Sequence, residues 1–180
     1  YTFTARVVDS SDTPQSAERE YTLPVGVQSN PSVAVYYDEA ASVCSASTGS
    51  WTWLKCYISI LLEDSDVACA TACEFKLRLT NVDGIDLEPG TDYAVTNTTT
   101  PDYVAFKIGD IFSGMAVGFN RSLYGPAPIL VASFDILLLE DLENLSFKFE
   151  ENPGGSLAIA SCLPGYPMVQ IRGREAALNY

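Results

Sequence analysis

The residues of this chain with chemistry to offer are five cysteines, two tryptophans and a surplus of carboxylates; there is no histidine. Without histidine no Ser-His or Cys-His pair exists to activate a nucleophile. The adjacent acids Glu140-Asp141 and Glu150-Glu151 remain as candidates for acid–base work on a glycosidic bond. Side-by-side acids that follow strands read as solvated turn positions, so the chain is expected not to be an enzyme and to need no cofactor. Cys69 and Cys73 bracket Ala70-Thr71-Ala72, but no second close pair completes a zinc set. The turn Asn81-Val82-Asp83-Gly84-Ile85-Asp86-Leu87-Glu88 alternates oxygen donors without the spacing of a calcium loop. It reads as a surface turn whose Asp-Gly step sets backbone angles, and no metal site is expected.

The cysteines point instead to disulfides and an oxidising compartment. The candidates are Cys44, Cys56, Cys69 and Cys73: Cys44 with Cys56 across a loop, and Cys69 with Cys73 across a short one. Cys162 is then left over. An alternative pairs Cys162 with Cys73 or Cys44 and ties the C-terminal segment to the body.

Trp51, Trp53 and Tyr57 recur at the two-residue period of one strand face. Such a row would stack sugars in a carbohydrate-binding module, or pack beneath the N-terminal strands or another subunit. No Asn, Gln or Asp cluster lies nearby to fix sugar hydroxyls, so a subunit contact is the expectation. Three N-x-S/T tripeptides begin at Asn97, Asn120 and Asn144 and are possible glycan acceptors; Asn97, within Thr-Asn-Thr-Thr-Thr-Pro, reads as the most loop-like. Lys55, Lys76, Lys107 and Lys148 fall on expected strands and permit an isopeptide crosslink with Asn or Asp, with no spacing that singles out a pair.

The elements that must position these residues are strands. Charged residues are only 18% of the 180 and apolar ones 47%, enough for a core, and Thr, Tyr, Val and Leu favour extended structure. Asp and Glu outnumber Lys and Arg by 23 to 10, a net charge of −13, which disfavours nucleic acid and anionic membranes as partners. The apolar runs Leu54–Leu62 and Ile129–Leu139 are far short of the ~20 residues of a spanning helix, so no membrane insertion is expected. The chain opens on tyrosine without a signal segment, which reads as a processed or excised piece of a longer precursor.

Strands are predicted at Ser32–Tyr37, Trp51–Leu62, Cys73–Thr80, Tyr103–Ile108, Met115–Phe119, Ile129–Leu139, Leu145–Phe149, Leu157–Ile159 and Met168–Arg172. A polar loop, 38–50, carries Cys44. A helical turn or two around Ile108–Gly114 is the one exception. Short strands parted by turns, without a sustained 3.6-residue pattern, predict an all-β antiparallel sandwich. The expected division is an N-terminal strand pair over 1–25, a linker over 26–31 and a sandwich over 32–180.

The strand pair stands out. Tyr1, Phe3, Ala5 and Val7 alternate with Thr2, Thr4 and Arg6, and after a turn Tyr21, Leu23 and Val25 alternate with Glu20 and Thr22. Left alone, their apolar side chains would forgo about 10 kcal/mol of burial, and an isolated hairpin is marginal in water.

Two resemblances follow from these residues. The opening YTFTARVVDSSDTPQSAEREYTLPV resembles the closing strand pair of bacterial immunoglobulin-like surface domains. ACEFKLRLTNVDGIDLEPGTDYAV and ILVASFDILLLEDLENLSFKFEE resemble cohesin modules, at Cys73–Leu77, Leu87–Gly90 and Ala132–Leu138. Cohesins share a jelly-roll sandwich with a group of carbohydrate-binding modules, so the resemblance implies that fold. AVYYDEAASVCSAS and REAALNY are similar to domains of long bacterial surface proteins. The motifs are core-strand patterns and name no ligand.

The functional expectation is a structural subunit of an extracellular filament or cell-surface assembly. Its N-terminal strands would complete the sheet of the next subunit in a head-to-tail homopolymer. Tyr1, Phe3, Ala5, Val7, Tyr21, Leu23, Val25, Trp51, Trp53 and Tyr57 are the expected interface. The alternative is a cohesin-like or carbohydrate-binding module of a large multidomain surface protein, with a glycan or another surface protein as partner.

Overall fold

A computed structural model describes residues 30–63 and 65–179, together with residues 2–8 and 16–22 as backbone strands. Those two strands, β1 (Thr2–Val8) and β2 (Ser16–Thr22), pair antiparallel with Phe3 opposite Tyr21 and Ala5 opposite Arg19. They form a two-stranded sheet of their own.

The rest is a two-layer β-sandwich without a helix among the described residues. Its strands are β3 (Ser32–Tyr36), β4 (Ser45–Ser47), β5 (Trp53–Leu61), β6 (Cys69–Thr80), β7 (Tyr93–Thr99), β8 (Val104–Asp110), β9 (Gly114–Tyr124), β10 (Ile129–Leu138), β11 (Leu145–Glu150), β12 (Ala158–Ser161), β13 (Met168–Gln170), β14 (Arg172–Gly173) and β15 (Ala176–Asn179). The smaller sheet runs β14-β3-β5-β10-β7. The larger runs β13-β12-β6-β11-β15-β4, with β9 joined to β6 and β8 joined to β9. Two pairings are parallel, β14 with β3 and β15 with β4; the others are antiparallel.

Strict alternation builds the core. Cys73, Phe75, Leu77 and Leu79 on β6 face Cys56, Ile58 and Ile60 on β5 and Phe134, Ile136 and Leu138 on β10, all almost without solvent contact. A chain of rings crosses between the layers. Tyr93 meets Phe112 at 5.3 Å, Phe112 meets Phe134 at 6.0 Å and Phe134 meets Phe147 at 5.9 Å between centroids. The Phe112–Phe134 and Phe134–Phe147 contacts are edge-on, and such contacts add about 0.5–1.5 kcal/mol each beyond the area they bury.

Several expectations are corrected here. Trp51 is not on the strand: it sits in the preceding turn at φ +61°, its N–H donating to the Leu138 carbonyl at 2.9 Å. The segment around Ile108–Gly114 is the β8–β9 turn, where Asp110 accepts hydrogen bonds from the Phe112 and Ser113 N–H groups at 2.9 Å. The polar segment Tyr93–Thr99 is a strand, and the loop around Cys44 contains the short β4. The C-terminal residues add β14 and β15.

Candidate functional site

The most exposed apolar strand surface lies on β8, and it arises from a conflict between pattern and register. Phe106-Lys107-Ile108 alternates as if the phenylalanine and isoleucine should face inward. In the sheet, however, Lys107 pairs with Val117 and Gly109 with Met115, both fully buried core residues of β9. Paired residues share a face, so Phe106 and Ile108 point away from the core, at 54% and 67% exposure.

Small residues form the floor beside them. Phe106 pairs with Gly118 and Ile108 with Ala116; across β6 and β12, Ala72 pairs with both Gly118 and Ala160. The Phe106 ring lies directly over Gly118, where any Cβ would run into it. On the far edge Met168 of β13, 55% exposed, pairs with Ala160. A shallow apolar trough therefore spans β8, β9, β6, β12 and β13 on the outer face of the larger sheet.

Charge borders the trough. Glu74 accepts hydrogen bonds from the Ser156 N–H at 2.9 Å and from the Ser156 hydroxyl, which pins the loop after β11 at one end of the trough. Beyond it stand Lys76–Glu150 at 3.7 Å, Lys148–Glu175 at 3.6 Å, and Arg78 between Glu150 and Asp86. Hydrogen bonds from the Arg78 guanidinium to Glu150 and Asp86 raise its pKa above the usual arginine value. An apolar centre with a polar rim is the anatomy of a protein-binding surface.

Glu140 and Asp141 follow β10 in a turn, and Glu150 is engaged by Lys76 and Arg78. The Asn81 side-chain oxygen accepts from the N–H groups of Asp83 and Ile85 at 3.0 and 2.9 Å, and Asp86 is held by Arg78. The Asn81 side chain thus shapes the turn, and Asp86 ties it to β6. Among the described residues no group of three His, Cys, Asp or Glu gathers as a metal set.

Of the expected interface residues, only Trp51, Trp53 and Tyr57 have described side chains. The Trp51–Trp53–Tyr57 row is broken: Trp51 stands 71% exposed in its turn, Trp53 is 50% exposed on β5, and Tyr57 is half-buried against Ala34, Tyr36 and Leu61. Between the last two, Lys55 meets Asp135 at 3.5 Å, and the Asn97 amide donates to the same carboxylate at 2.6 Å. Tyr1, Leu23 and Val25 lie outside the described residues, as do most of the expected linker and the side chains of Phe3, Ala5, Val7 and Tyr21.

The disulfide also differs from the expected pairs. Cys69 at the head of β6 bridges Cys162 just after β12, with 5.6 Å between their Cα atoms, while Cys44, Cys56 and Cys73 are free thiols. Burial pushes the Cys56 and Cys73 thiols well above the usual thiol range, which makes them inert packing groups. Of the three sequons, Asn97 sits on β7 and Asn120 on β9, both exposed. Asn144 occupies the turn before β11, so it rather than Asn97 is the loop position.

No family model matches the chain, and no curated protein matches it. Solved structures that it is similar to include cohesin modules. A cohesin module of a family 33 glycoside hydrolase from Clostridium perfringens superposes with a TM-score of 0.55 at 6% identity, covering 84% of this chain and 98% of the other. The sixth cohesin of scaffoldin B from Acetivibrio cellulolyticus, in complex with the Cel5 dockerin, gives 0.52 at 8%, covering 84% and 99%. A type I cohesin–dockerin complex from Clostridium thermocellum gives 0.51 at 10%, covering 83% and 98%. The fold of this chain is a cohesin-like β-sandwich.

Proposed function

We propose that this chain is a non-catalytic binding module of an extracellular or cell-surface protein that holds a partner protein on the outer face of its larger sheet. The observation that carries this is the inverted register of β8, which turns Phe106 and Ile108 outward over a floor of alanine and glycine. Half-exposed side chains of this size contribute on the order of 1 kcal/mol each when a partner covers them. Two of the structurally similar cohesins are seen in complex with dockerins, which supports a small protein module as the partner class.

The test is affinity capture from the proteins secreted by the source organism. Wild-type chain and a Trp53→Ala variant should retain the same protein, and a Phe106→Asp/Ile108→Asp variant should lose it. Retention that survives the double substitution, or binding to glycans alone, would overturn the reading. A second reading, a subunit of a homopolymer, is favoured by one observation: β1 and β2 pair with each other in a sheet separate from the two layers of the sandwich.

A further inference from the structure

We infer that the edge of β8 is the acceptor for the N-terminal hairpin of a second copy of this chain, with β2 adding alongside β8. The inference rests on the homopolymer reading and names its contact.

β8 ends the larger sheet on one side: it pairs with β9, and no described strand pairs with its other edge. An open strand edge presents unpaired N–H and C=O groups to any extended segment that fits. The hairpin offers such a segment, because among the described residues β2 pairs with β1 alone. The two strands match in length, seven residues each.

Charge sets the register. Lys107 stands exposed at the middle of β8, where it guards against in-register antiparallel self-pairing by bringing two lysines together. A carboxylate opposite Lys107 meets that guard favourably, and β2 carries Glu18 and Glu20 on either side of its central Arg19, so a one-residue stagger is required. Antiparallel addition with Glu20 opposite Lys107 places Tyr21 opposite Phe106 and Arg19 opposite Ile108. The aromatic pair then falls on the outward face and the ion pair on the other.

The competing seven-residue edge is β7, and it fits worse. Each ladder carries one shift, between Thr96 and Thr99 on β7 and between Val104 and Phe106 on β8, but Thr96, Asn97 and Thr99 offer no large apolar side chain to Tyr21. Pairing at the β8 edge leaves the trough open and widens it by one strand.

Sedimentation velocity on the full chain across a concentration series supplies the first arm. Wild type should assemble beyond the monomer, Lys107→Glu should weaken assembly at least tenfold, and Lys107→Glu combined with Glu20→Lys should restore it. Circular dichroism of each variant confirms that the sandwich is intact. In the second arm, isotopically heavy and light chains are mixed and treated with a carbodiimide; a Lys107–Glu20 crosslink joining heavy to light peptides is the expected product. A chain monomeric at every concentration overturns both the inference and the homopolymer reading. Assembly unaffected by Lys107→Glu, or crosslinks confined within one copy, overturns the inference alone.

Discussion

Replacing Cys69 and Cys162 together with serine should cost this protein a large part of its stability. The bridge joins residues 93 apart in sequence, and closing a loop of that length removes roughly 4.7 kcal/mol of chain entropy from the unfolded state. Engineered and native bridges usually deliver less than this ceiling, so the expected loss is about 3–4 kcal/mol. For a urea slope of about 2 kcal/mol/M, the midpoint falls by roughly 1.5–2 M. Intrinsic fluorescence of Trp51 and Trp53 during urea titration reads the change. Cys44→Ser, at an exposed thiol, should stay within about 0.5 kcal/mol of wild type. Thiol labelling supplies the matching count: Cys44 reacts in the folded protein, Cys56 and Cys73 only after unfolding. Unchanged stability of the double-serine variant, with Cys44 unreactive, would refute the Cys69–Cys162 bridge and return the question to Cys44–Cys56.

Three further outcomes follow from the packing. Phe134→Ala removes the ring that joins Phe112 to Phe147 between the layers and should cost about 3–5 kcal/mol in equilibrium unfolding. Gly118→Val drives a side chain into the Phe106 ring; partner binding should fall while far-UV dichroism stays that of a folded sandwich. Partial burial opposes ionisation of Asp110, but hydrogen bonds from Ser113 and Phe112 win and hold its pKa below the usual carboxylate value. Its contribution is therefore present above pH ~4 and lost as pH falls through the lowered folded-state value. Amide exchange in β8 and β9 should accelerate below pH ~4 in wild type, and Asp110→Asn should remove that acid-dependent step.

The sandwich was legible because its central strands obey period two without error: Cys73 to Thr80 alternates through β6, and Ile129–Leu138 reads as a strand buried on the core side. Tyr93–Thr99 was not, because its run of Thr96-Asn97-Thr98-Thr99 has no apolar face; only Tyr93 and Val95 reach the core from an edge. Trp51 read as part of a strand face since spacing alone cannot show a left-handed turn. The Cys69–Cys162 bridge depends on β12 lying beside β6, a long-range pairing that no local spacing encodes. The strand holding Phe106 and Ile108 was legible, but not which way they face: only the register against Val117 and Met115 shows that they point outward.

Hydrogen exchange on the chain with its partner bound tests the central claim most directly. Slowed exchange should concentrate on β8, β9, β12 and β13, around Phe106, Ile108 and Met168, with the smaller sheet unchanged. Slowing confined to β3, β5, β10 and β7 around Trp53 would contradict it, and would move the binding face to the opposite side of the sandwich.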